Sequence, residues 1–97
     1  MLHELSIDAF EAVRGQTLRI TSGEDFRDLE LADVSVLNNP SPRPQPPFSL
    51  TFRDNGAKQS FGQGVYRLIH PTLGPVDLFF VPLGPDGKGM TYEVTFN

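Results

Sequence analysis

The sequence contains no cysteine. This excludes disulfides, thiolate metal sites and cysteine nucleophiles, and with them a secreted disulfide scaffold. Basic residues are scarce too: 8 Lys and Arg stand against 12 Asp and Glu, for a formal charge of -4, and they do not run together. Such a surface repels a phosphate backbone, so nucleic acid is not an expected partner. Long apolar runs are missing, the longest being Leu78 to Val81. No stretch can span a bilayer, and the N-terminus lacks a basic start followed by an apolar core, so the expectation is a cytoplasmic protein with no membrane role. Histidine occurs twice, at His3 and His70, in no metal-ligand spacing. There is no G-x-S-x-G elbow for a serine nucleophile and no internal repeat.

What is present is enough for one core. At 97 residues a second core would leave each half short of apolar surface, so residues 1–97 are expected to form a single domain. Ten aromatics, eight of them Phe, supply its bulk. A short helix is predicted over about residues 6–14: Ser6 can cap the first turn, Asp8 and Glu11 favour the positive end of the dipole, Phe10 and Val13 share a face, and Gly15 suits a left-handed stop. Its expected role is to plug one end of a sheet or barrel.

From about residue 16 onward the period changes to two. Leu18 and Ile20, then Leu29 and Leu31, alternate with polar residues on either side of the turn signal SGEDF. The apolar positions then move from odd to even, to Val34 and Val36, which predicts a β-bulge at Ala32–Asp33. Phe48, Leu50 and Phe52 alternate next, followed by the hairpin signal Asp54-Asn55-Gly56. Val65 to Ile69 and Val76 to Val81 are apolar on both parities, which predicts central strands with both faces at least partly covered. Met90, Tyr92, Val94 and Phe96 are expected to face in, with Thr91, Glu93, Thr95 and Asn97 facing out. The sum is about six strands of five to eight residues with connections too short for crossover helices. The fold class is therefore mainly β: a small antiparallel six-stranded barrel or a curled two-layer sheet, with closure preferred because it removes edges.

The segment at about residues 38–47 holds Pro40, Pro42, Pro44, Pro46 and Pro47. It reads first as a stiff loop between strands. Two other readings remain open: a strip that guards a sheet edge, since alternate prolines remove donors from one side, and a polyproline II ligand built on Pro44 and Pro47 with Arg43.

Among residues with chemistry, His70 ends the run VYRLIH ahead of Pro71 and the turn PTLG, so it reads first as a hairpin residue. The loop GPDGKG, residues 84–89, has the wrong Gly-to-Lys spacing for a phosphate loop and reads as a hairpin. Glu24, Asp25, Asp28 and Glu30 lack a calcium-loop pattern, and Asp28 and Glu30 alternate with apolar residues as a solvated face does. No cofactor and no metal are indicated, and no small-molecule ligand is specified.

The C-terminal third carries Gly64, Tyr66, Leu68, His70, Pro71, Leu73 and Gly74; then Leu78, Phe79, Val81, Pro82, Gly84 and Pro85; then Tyr92, Glu93, Phe96 and Asn97. In this it resembles a bacterial family of short proteins of unknown function marked by G-x-Y-x-L-x-H-P-x-L-G, L-F-x-V-P-x-G-P and Y-E-x-x-F-N. The resemblance, which also takes in the helix and GQTLRI, implies no catalytic residue. It implies an accessory role in a phage-tail-like or surface assembly, because such genes lie near those of proteins with tail-collar-like domains.

The expected function is thus a non-enzymatic protein-interaction or assembly module, with a protein partner or a second copy covering an apolar patch. Phe79 and Val81 are its candidate contact residues, since Leu78 and Phe80 take the inner parity, and Arg43 and Pro44 would serve if the proline segment is a ligand. The alternatives are a small-ligand-binding barrel and, least supported, a hydrolase-like enzyme gathering Tyr66, Arg67 and His70 around a hairpin mouth.

Overall fold

A computed structural model describes residues 6–37 and 47–96. One short helix, α1 (Ile7–Glu11), precedes six strands: β1 (Thr17–Ser22), β2 (Asp25–Val36), β3 (Phe48–Asn55), β4 (Gly64–His70), β5 (Gly74–Pro85) and β6 (Gly89–Phe96). The strands close into an antiparallel barrel in the order β1-β2-β3-β6-β5-β4, the expected fold class in its closed form. Alternation builds its inside: Leu18, Ile20, Leu29, Leu31, Leu50, Phe52, Leu68, Leu78, Phe80, Tyr92 and Val94 are all buried. Each such side chain contributes about 1.5–3 kcal/mol relative to exposure.

The bulge is where the parity change places it. Leu31 pairs with Phe52 and Asp33 with Thr51, so Ala32 is the extra residue. A second bulge lies between Pro82 and Gly84. It explains why β5 runs for 12 residues through a proline, beyond the expected strand length: at a bulge the missing N–H costs no ladder bond.

Several expectations need correction. The helix is five residues long, and the Ser6 side chain makes no cap bond. The chain leaves the helix early because the Gly15 N–H donates to the Leu31 carbonyl (2.8 Å) and the Leu31 N–H to the Gln16 carbonyl (2.9 Å), tying it to β2 instead. Gly15 does take the left-handed conformation, with φ +87°. Val36 is exposed, because the last rung of β2 lies at a barrel end filled by the rings of Phe10, Phe48 and Phe96. Thr91, though outward by parity, is buried and donates its hydroxyl to the Gly84 carbonyl at 2.8 Å. Asn97 lies outside the described residues, as does the segment 38–46.

Asp54-Asn55-Gly56 is not a two-strand hairpin. Gly56 has φ +79° and the Ala57 N–H bonds the Asp54 carbonyl, but β3 pairs with β2 and β6, not with β4. β3 and β4 stand on opposite sides of the six-strand ring, so residues 56–63 must cross the barrel mouth. The outer faces of β4 and β5 are covered only in part. Val65 (62%), Ile69 (41%) and Phe79 (50%) are exposed on the outer wall, because α1 and the crossing loop occupy the barrel's ends.

Candidate functional site

At the helix end, Phe10 is fully buried and meets the His70 ring edge-on at 5.3 Å. His70 ends β4 with its side chain inward and is itself buried. Its Nδ1 accepts the N–H groups of Thr72 and Leu73, each at 3.1 Å, within the β4–β5 turn that Gly74 completes at φ +78°. Two N–H groups aimed at Nδ1 leave the neutral ring's proton on Nε2, which donates to the Ala9 carbonyl at 2.8 Å. The ring therefore fastens α1 to the β4–β5 hairpin. Tyr66 shares the inner face of β4 but lies four residues away, about 13 Å along the strand. Arg67 points outward, where its Nε and a terminal nitrogen donate to the two carboxylate oxygens of Asp77 at 2.9 and 3.2 Å. Tyr66, Arg67 and His70 are thus not gathered into one polar site.

The outer wall is built by the odd residues of β4 and β5. Val65 stands directly opposite Phe79, Arg67 opposite Asp77 and Ile69 opposite Pro75, while Val81 faces Glu93 of β6. Phe79 is half exposed and Val81 less so. A matching ion pair lies on the neighbouring strands, where Arg19 bonds Asp28 at 2.9 Å. In both pairs hydrogen bonding raises the arginine's pKa and lowers the aspartate's. The wall therefore alternates, with the ion-paired rung Arg67–Asp77 lying between the apolar rungs Val65–Phe79 and Ile69–Pro75.

The opposite mouth joins Tyr66 and Tyr92 to Phe61 and Arg27, which the pattern of the sequence did not single out. The loop crossing it drops Phe61 onto Tyr92, with the rings stacked 3.9 Å apart, and the Phe61 N–H donates to the Tyr92 hydroxyl at 3.0 Å. Burial is the largest influence on that phenol and raises its pKa. Tyr66 packs edge-on against Phe61 and donates to the Gly62 carbonyl at 2.6 Å. Arg27 reaches over Phe61 and bonds Asp54 at 2.7 Å. Phe26 is 56% exposed and carries the Arg19 guanidinium on its ring at 3.9 Å; with Phe61, Tyr66, Arg27 and Asp25 it lines an open cleft of about 510 Å³. A shallower groove lined by Thr21, Ser22, Gly23, Val65, Arg67 and Asp77 continues it onto the outer wall. One signal was legible: Phe61 is a lone aromatic within SFGQG, which is odd for a loop left in solvent.

The remaining candidates resolve individually. Arg43 and Pro44 lie outside the described residues. The acidic group is dispersed, with Asp28 held by Arg19 and Glu30 by Arg53 and Asn55. In GPDGKG, the Asp86 carboxylate accepts the N–H groups of Lys88 and Gly89 and a bond from Arg53, closing the β5–β6 hairpin. Among the described residues no group of three His, Cys, Asp or Glu is placed to hold a metal ion, and no helix is long and apolar enough to cross a membrane. No curated protein and no solved structure matches the chain. One family model, described as a domain of unknown function (DUF6916), matches residues 5–96.

Proposed function

The chain belongs to that family of unknown function, and from its own geometry we propose that it is a non-enzymatic protein-interaction or assembly module. The observation that carries this reading is the outer wall of β4 and β5, where Phe79 and Val65 face each other across the ladder, each at least half exposed. Directly opposed aromatic and β-branched residues form one contiguous apolar surface, which water disfavours and a partner's apolar surface would cover. Two further features support binding over chemistry. Phe52, Phe80 and Tyr92 fill the interior, and every ring nitrogen of His70 is engaged within the fold. The resemblance to bacterial proteins encoded near tail-collar-like proteins favours a tail-like or surface assembly as the setting.

The test compares the wild-type chain with Phe79→Asp, both produced at native level in the source organism and sized by size-exclusion with antibody detection. Because Phe79 lies outside the core, the variant is expected to keep its circular dichroism spectrum and to leave the larger species in which the wild type travels. Co-elution of both as free barrels, or of both in the larger species, would overturn the role assigned to this wall.

A further inference from the structure

Resting on the interaction-module reading, we infer that the cleft at the barrel mouth takes the proline-rich segment 38–47 of a second copy, so that copies join head to tail. The cleft has the chemistry for it. Phe26, Phe61 and Tyr66 offer aromatic surface, and the groove along Thr21, Ser22 and Val65 prolongs it in one direction. Extended proline-rich chains dock on such surfaces because proline's φ is fixed before binding and little entropy is lost. Charge agrees as well. The only charged residue of the segment is Arg43, and the cleft offers Asp25, which forms no ion pair with a described residue. The cleft's own cation, Arg27, is already held by Asp54.

Distance excludes docking within one chain. The segment leaves at Leu37 and returns at Pro47, which are joined by a 2.8 Å bond from the Leu37 N–H to the Pro47 carbonyl. Tied at both ends, nine residues can reach no farther than about 17 Å from that anchor. Phe26 lies eleven residues back along β2, about 36 Å of chain at the rise of a strand. Leu37 and the cleft therefore stand at opposite ends of β2, a span longer than that reach. A contact between unlike surfaces that is not exchanged reciprocally is heterologous, and it propagates into a ring or an open chain.

Complementation in the full-length chain tests this. Phe26→Asp spoils the cleft and keeps the segment; the combined variant Pro42→Ala, Arg43→Glu and Pro44→Ala spoils the segment and keeps the cleft. In sedimentation velocity over a concentration series, the wild type is expected to grow beyond a dimer. Each variant alone should stay monomeric with unchanged circular dichroism, and their equimolar mixture should form a heterodimer and nothing larger. As a second arm that leaves the apolar surface alone, Asp25→Arg should weaken association by up to about fivefold, and Arg43→Glu in the same chain should restore it. A monomeric wild type, self-association by either variant at the wild-type level, or a mixture that stays monomeric would overturn the inference, as would failure of the double reversal to restore. If association survives in both variants and is lost only in Phe79→Asp, head-to-tail docking fails while the interaction-module reading stands.

Discussion

His70 shows how a residue that looks like chemistry becomes architecture. Its two nitrogens have opposite tasks, accepting from the β4–β5 turn and donating to the helix, and both partners are backbone groups that burial leaves without water. Replacing it with Ala would orphan the N–H groups of Thr72 and Leu73 and open a cavity under Phe10. His70→Ala is expected to cost about 2–4 kcal/mol in urea unfolding. Nitrogen-15 shifts of the neutral ring should report the Nε2-protonated tautomer; the opposite tautomer would mean that Nδ1 does not accept from the turn. Neither role could be read from the sequence, because HPTLG marks a turn without saying that α1 lies against it. Phe61 illustrates the converse: its neighbours in sequence are loop residues, and only the crossing of the mouth brings it to Tyr92.

Among the elements, period and parity carried most of the information. Six strands, the Ala32 bulge, the β4–β5 hairpin and the inward set of β6 could each be read because a strand's faces alternate residue by residue. Pairing was less legible. Asp54-Asn55-Gly56 makes the local turn its residues favour, yet the choice of β6 as the partner of β3 depends on closing the ring. That choice has a local signature at Gly89, which stands opposite Asn55 and whose absent Cβ lets the backbone of Asp54 and Asn55 approach. An added methyl would collide with the Asp54 carbonyl oxygen and the strand must shift. Gly89→Ala is expected to lower stability by about 1–3 kcal/mol, seen as a reduced urea midpoint at unchanged slope. An unchanged midpoint would mean that β3 and β6 are not held this close.

For the whole molecule, closure removes the free edges of the described strands and leaves association to faces and clefts. Its outer charges are arranged as ladder pairs and as the Glu30–Arg53–Asp86 bridge across β2, β3 and the β5–β6 turn. Hydrogen bonds lower the pKa of Asp28, Glu30, Asp77 and Asp86 in the folded state. A lowered folded pKa stabilises at pH values above the unfolded one, and the contribution is lost as pH falls through the folded value. Stability is therefore expected to be flat above the ordinary values of 4.5 for Glu and 3.8 for Asp and to decline on acidification below them. Added salt should reduce the decline, since these pairs are exposed to solvent. Urea unfolding across that range, at low and high salt, measures both; stability that rises on acidification would reverse the assigned sign.

Composition and periodicity by themselves determined that this chain forms a small antiparallel β domain of about six strands after one short helix, because burial of alternate residues in short strands leaves few other solutions. They also excluded cysteine chemistry, since that follows from which side chains are present. Only the tertiary structure decided that His70 is a fastener, that Phe61 closes the mouth, and that Phe79 and Val65 share an uncovered wall. Those facts depend on which strands become neighbours across the ring, and that choice is made by closure of the barrel as a whole, beyond the reach of any local stretch of sequence.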